Sequence, residues 1–263
     1  MARVTKAPDV RREELLDVAL ELCMSVGFDS MSVEQITATA GVAKGTFYHY
    51  FRSKDDLEAQ LVRRFGESLL AHLSEQSGSF QGTAIERLRQ LIGAASSWKL
   101  ERLNLSMSFI PFLYRDENFA LKHRLFEEWM NRLGPLIEPI LLLGQRDGSF
   151  ALSDVEGTAR LFTTLMMHGA TRLWETTMLI EDDEAFIDRM LADVTALWAA
   201  EERLLGAAPG SLTQPVDQIA REALPALRDA FLHQIQQPLS KRRASRSEVH
   251  TSELQSPMYL VCR

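Results

Sequence analysis

Hydrophobic residues recur at helical spacing along nearly the whole chain. Leu15, Leu16, Ala19, Leu22, Cys23 and Val26 share one face of a first helix, over about residues 10–26. Gly27 predicts its end, because glycine accepts the left-handed backbone that closes helices. Ser32 followed by Gln35 reads as a capping box opening a short helix that buries Val33, Ile36 and Ala40 and stops at Gly41. A third short helix is predicted over 44–51, with Phe47 and Phe51 four apart as its inward anchors. Ser53 and Asp56 start a fourth, carrying Leu57, Leu61, Phe65 and Leu69.

The run Ser77-Gly78-Ser79-Phe80-Gln81-Gly82 is the clearest interior break, and it predicts a domain boundary. Thr83 and Glu86 cap the next helix, through Leu88, Leu91, Ile92 and Ala95. Pro111 predicts an interruption, Asp116 a helix start, and Pro135 with Pro139 a kink or division of the helix that follows. Ser153 and Glu156 are expected to cap a long helix, and a last one follows Asp182-Asp183-Glu184 with Phe186, Ile187, Met190, Leu191, Val194, Leu197 and Trp198 on one face. No β-alternation or internal repeat occurs, so the expected fold is all-α. The expected division is 1–75, 76–206 and a remainder of 207–263. That remainder reads as a linker, a possible amphipathic helix over 216–236 and a polar, unpatterned tail. Residues from about 248 resemble translated vector sequence and are expected to be non-native.

Composition adds bounds. The chain has 263 residues, 46% of them hydrophobic, enough for a substantial core. No apolar run reaches the ~20 residues of a membrane span, and the first residues lack a signal-peptide core. Two distant cysteines, Cys23 and Cys262, make neither a zinc nor a disulfide pattern. A cytoplasmic protein with no cofactor is expected. The net charge of −7 is unfavourable for nucleic acid taken globally, but its distribution matters more. No acid lies between Glu34 and Asp55, while Lys44, Arg52 and Lys54 do, and Arg3, Lys6, Arg11 and Arg12 cluster at the start.

The second and third helices are separated by three residues, Gly41-Val42-Ala43, which is helix-turn-helix spacing. In the third helix Gly45 leaves room for a close approach to DNA. Thr46, Tyr48, His49 and Tyr50 offer short donors to phosphates or base edges. Lys44 and Lys54 flank them, and the capped helix starts at Ser32 and Ser53 add phosphate-binding N–H groups. The run from Gly41 to Leu57, with Gly27-Phe28 and Ser32-Val33-Glu34-Gln35-Ile36 before it, resembles the DNA-binding signature of the TetR family of transcriptional regulators. The strong likeness covers about residues 11–65.

That resemblance implies Thr46, Tyr48 and His49 facing DNA, with Lys44 and Lys54 on its backbone. It implies an N-terminal three-helix DNA-binding domain and a larger helical domain for ligand binding and dimerisation. The implied function is a repressor that holds a near-palindromic operator as a homodimer and is released by a small hydrophobic effector. Ala43 departs from the family's frequent serine and forfeits a capping hydroxyl. In the second domain Trp98, Phe109, Phe112, Phe126, Trp129, Met166 and Met167 are candidates to line the effector site, with Met107 and Tyr114 beside them. Arg115, His168 and Arg172 could orient a polar group. Gly169 and Ala170 permit close helix approach. No phosphate loop, nucleophile elbow or paired histidines point to an enzyme. The competing reading is a helical protein-interaction module of the same fold that does not bind DNA.

Overall fold

The computed structural model describes residues 8–114, 118–213, 225 and 228–229, and among these residues it contains helices and no strand. Four helices come first: α1 (Pro8–Ser30), α2 (Val33–Thr39), α3 (Lys44–Tyr50) and α4 (Lys54–Ser77). The rest are α5 (Ala84–Glu101), α6 (Leu103–Leu113), α7 (Phe119–Asp147), α8 (Val155–Leu179) and α9 (Asp183–Leu205). Gly27 breaks α1 as expected, with φ 79° and ψ 165°, after which three further residues turn helically to Ser30. Gly41 takes φ 65° between α2 and α3, a conformation that side chains rarely adopt.

Local prediction fails where tertiary burial outweighs it. Both α6 and α7 run through their prolines, so neither Pro111 nor Pro135 and Pro139 divides a helix. Pro135 and Pro139 sit on the solvent side of α7, while Leu133, Ile137, Ile140 and Leu141 are buried on the other. Each buried aliphatic contributes ~1.5–3 kcal/mol, and an interior proline costs ~3 kcal/mol. The apolar face wins. The cap of α8 is Asp154 rather than Ser153, its carboxylate accepting from the Gly157 N–H at 3.0 Å. Glu156 instead pairs with Arg160. Asp116 lies outside the described residues, and α7 starts at Phe119.

Two main cores divide inside α4 rather than at the 77–82 break. Phe65 and the residues before it on α4 join α1–α3, with Trp98, Phe109, Phe112, Leu113 and Leu125 contributed from α5–α7. Leu70 and Leu73 begin the second core, with residues of α5, α7 and α8. A third, smaller cluster holds Phe186, Met190, Val194 and Trp198, four of the seven residues predicted for one face of α9, with Ile187 partly buried against them. Gly66 lets α7 lie against α4: a Cβ there would meet the Trp129 indole at 2.2 Å. Gly169 does the same for α8 and α9, since its Cβ would meet Leu197 Cδ2 at 2.5 Å.

The segment after α9 is not the loose linker expected from 207 onward. The Glu202 carboxylate accepts from the Gly210 and Leu212 N–H groups at 2.8 and 2.7 Å, and the Leu212 side chain is buried. The Ala151 N–H donates to the Leu205 carbonyl at 3.0 Å. The predicted helix over 216–236 and the tail lie almost wholly outside the described residues. Within them Arg228 does reach back to Asp183 and to the Ile180 carbonyl.

Glu201 is 2% exposed, and burial, with the neighbouring Glu202 charge, pushes its carboxyl up to about 8. A raised carboxyl contributes stability below its unfolded value near 4.5, and that contribution is lost as pH rises through about 8. Glu201→Gln should therefore flatten the fall in urea stability between about pH 4.5 and 8, and be the more stable protein at the alkaline end. An unchanged pH dependence would show that Glu201 is not buried as its carboxylic acid.

Candidate nucleic-acid interface

The interface is built on a short helix held from below. Phe47 is fully buried and Phe51 nearly so, their ring centroids 5.3 Å apart. With these anchors turned inward, Lys44, Gly45, Tyr48 and His49 are exposed, and Thr46 and Tyr50 are half-buried. The Tyr48 ring stands edge-on to Phe47 at 5.3 Å, and His49 edge-on to Tyr50 at 4.9 Å. A Cβ added at Gly45 meets nothing within 4 Å, so its missing side chain serves no contact inside the chain. That is the condition for another molecule's backbone to come close.

The helix that braces α3 is locked at its start. Ser32 Oγ accepts from the Gln35 N–H at 3.1 Å, and the Ser32 N–H donates to Gln35 Oε1 at 2.9 Å, so the predicted capping box is present. The Ser32 hydroxyl thus serves α2 itself. Ala43, at the corresponding position of α3, has cap geometry (φ −73°, ψ 150°) but no side-chain bond. At α4, Ser53 Oγ accepts from the Asp56 N–H at 3.1 Å, while the Asp56 carboxylate accepts from the Arg52 N–H at 2.9 Å. Partial burial works to raise the Asp56 carboxyl, but these bonds to it, with Gln60 Nε2 at 2.9 Å, hold it below its ordinary value.

Both flanking lysines already have counter-charges. Lys44 Nζ lies 2.5 Å from Glu34 Oε1 across the α2–α3 turn, and the hydrogen bond lowers the Glu34 carboxyl and raises the Lys44 ammonium. Lys54 Nζ lies 3.2 Å from Glu58 Oε1, one turn along α4. The acid-free window is therefore true of the sequence between 34 and 55, but acids at and beyond its edges fold onto its cations. The Lys54/Glu58 pair was readable from its i,i+4 spacing. The Lys44/Glu34 pair, ten positions apart, was not.

Of the N-terminal basic cluster, Arg11 pairs with Glu14, while Arg12 binds Gln60 and lies over the Phe51 ring at 6.0 Å. Arg12 thus braces α4 and the base of α3. Arg3 and Lys6 lie outside the described residues, as do Arg115 and the basic run 241–243. The side chains of Met107, Ala170 and Arg172 lie outside them too.

The seven effector candidates do not form one group. Phe28, just past the α1 break, stacks on Phe112 (4.1 Å, 21°) and meets Phe109 edge-on (5.1 Å). Phe65 of α4 stacks on Phe109 (5.0 Å, 10°) and meets Trp98 edge-on (5.2 Å). Trp98, Phe109 and Phe112 thus pack into the core shared with α1–α3. Phe126 and Trp129 pack together on α7 at 5.6 Å, and the buried Trp129 Nε1 has no hydrogen-bond partner. Met166 and Met167 pack against the second core from α8, where His168 is exposed.

Residues 15–61 match the family described as bacterial regulatory proteins, tetR family. The chain is 36% identical over 77 residues to the HTH-type transcriptional repressor NemR of Escherichia coli, covering 29% of this chain and 39% of NemR. It is 29% identical over 159 residues to the repressor KstR2 of Rhodococcus jostii, covering 58% of this chain and 73% of that protein. The chain thus spans about two fifths of NemR's length. Among solved structures, RolR in complex with resorcinol superposes with a TM-score of 0.50 at 21% identity, over 77% of this chain and 91% of RolR. That last likeness is one of fold. Among the described residues no helix is long and apolar enough to cross a membrane.

Restoring a hydroxyl at the start of α3 should show whether its cap is an open position. Ala43→Ser is expected to raise stability by ~0.5–2 kcal/mol in urea unfolding. A neutral or destabilising result would mean that the α3 start does not accept a side-chain cap.

Proposed function

We propose that this chain, a member of the TetR family of bacterial regulatory proteins, is a cytoplasmic, ligand-responsive repressor that binds a near-palindromic operator as a homodimer. The observation that carries the reading is the geometry of α3. Its two aromatic anchors are spent on the core, so Lys44, Gly45, Tyr48 and His49 face outward together on one short helix. A helix so mounted can enter a major groove, with Thr46, Tyr48, His49 and Tyr50 near base edges and phosphates. Lys44 and Lys54 supply backbone charge. Ser32 contributes by fixing α2.

One helix-turn-helix makes few contacts, and a two-fold pair reading half-sites ~34 Å apart multiplies them. The family relation supports α8 and α9 as the dimer helices. Leu161 of α8, 59% exposed in the single chain, is available to such an interface.

An apolar effector near Trp98, Phe109, Phe112, Phe126, Trp129, Met166 and Met167 would act on the DNA-binding core directly. Three of those seven already touch rings of α1 and α4. The unpartnered Trp129 N–H is a donor such a ligand could satisfy. Binding that favours a different placement of these rings lowers operator affinity by linkage.

The test is to enrich duplexes from a randomised pool with the full chain and measure their binding by fluorescence anisotropy. A repeated, two-fold-symmetric motif is expected, bound with affinity that falls steeply with salt, by ~0.9 log units per log unit of salt for each phosphate neutralised. Tyr48→Ala and Lys44→Ala should each weaken binding ~5- to 100-fold. Enrichment of no duplex at low salt, with the chain folded, would favour an interaction module. Unaltered affinity in both variants would remove α3 as the recognition helix.

A further inference from the structure

Lys54 is assigned above to the phosphate backbone, yet in the free chain its ammonium is already engaged. Its side chain is 29% exposed and lies 3.2 Å from the carboxylate of Glu58, whose own side chain is only 10% exposed. The groups that act on Glu58 are unequal in number and sign. Asp55 on α4 and Asp29 at the end of α1 oppose its charge, and Lys54 is the cation that favours it. Cys23 of α1, a further ionisable neighbour, is buried, with its thiol pushed up to about 12 and therefore neutral. Among the described residues Lys54 is the cation paired with this mostly buried carboxylate, at the edge of the surface that faces DNA.

We propose that Glu58 positions Lys54 in the free chain, and that DNA binding draws the Lys54 ammonium onto a phosphate and leaves Glu58 to take up a proton. The proposal rests on the DNA-binding reading of α3 and α4. The proton comes from solvent, and Glu58 passes from carboxylate to carboxylic acid, so no charge is stranded in its buried setting. The Lys54 ammonium exchanges one anion for another.

The sign of the effect follows by linkage. The complex binds more protons than the free chain, so affinity rises as pH falls. Burial first, and then the charges of Asp55 and Asp29, hold the Glu58 carboxyl above its ordinary value against the pull of Lys54. Weakening that pull in the complex raises it further. The sensitive window therefore opens above the usual carboxylate range.

The test uses the full chain and a duplex it enriches from a randomised pool. Titration calorimetry in phosphate and in Tris, whose ionisation heats differ, reads protons taken up on binding. Anisotropy from pH 6 to 8.5 reads affinity. Wild type is expected to take up more protons than Glu58→Gln, and to bind more tightly with falling pH by up to ~10-fold per unit beyond that variant's change. Lys54→Gln should bind more weakly and also lack the extra uptake, because there is no ammonium to withdraw. Proton uptake by groups outside this pair is common to all three proteins and cancels from the differences. Glutamine is isosteric with glutamate. Should Glu58→Gln nevertheless misfold by circular dichroism, Lys54→Gln carries the same comparison. Equal proton uptake in wild type and in the folded variants overturns the proposal while leaving the DNA-binding reading intact. Failure to enrich any duplex overturns both.

Discussion

The contact of Phe28 with Phe112 and Phe109, continued through Phe65 to Trp98, is the constraint on which the molecule's organisation rests. These rings come from α1, α4, α5 and α6, and they belong to the same core that holds Phe47 and Phe51 of α3 and its C-terminal end. Each ring pair is worth ~0.5–1.5 kcal/mol beyond its burial. The larger consequence is mechanical. Packed aromatic rings cannot slide continuously past one another, so α6 and α4 move against α1 only by changing how the rings seat. The mount of α3 and the packing of α5–α7 are therefore one packing problem.

This packing gives the effector candidates a different meaning from the one their composition suggested. Bulky, soft side chains in a helical domain read as the lining of a site. Trp98, Phe109 and Phe112 are spent on the junction, with faces or edges already covered by Phe28 and Phe65. Trp129 lies at its edge, set against Gly66 of α4, and Arg63 of α4 pairs with Glu128 of α7 beside it. The later helices thus grip α4 at two levels, through the aromatic cluster and through α7.

The electrostatics around α3 follow a similar logic. The chain carries a net charge of −7, and the lysines that flank α3 are held by Glu34 and Glu58. Pairing orients long, flexible side chains that would otherwise sample many rotamers. Glu34 of the first pair is exposed, whereas the Glu58 side chain is only 10% exposed. The two pairs are chemically alike and differ in burial.

How much of this was legible in the sequence depends on the range of the forces involved. The capping box at Ser32, the stops at Gly27 and Gly41, the inward pair Phe47/Phe51 and the outward set on α3 are set by contacts within a turn or two. The sequence alone determined them, along with the all-α class and the family likeness. The Lys54/Glu58 pair, at helical spacing, belongs there too. Tertiary structure alone decided that Pro135 and Pro139 lie on the wet side of an unbroken helix, because the energy that carries α7 past them comes from burial against other elements. It alone brought Glu34 to Lys44, tied 207–212 to Glu202, and seated Phe109 and Phe112 on Phe28. In each case the partners are far apart in the chain, and no local spacing encodes a contact that exists only once the helices pack.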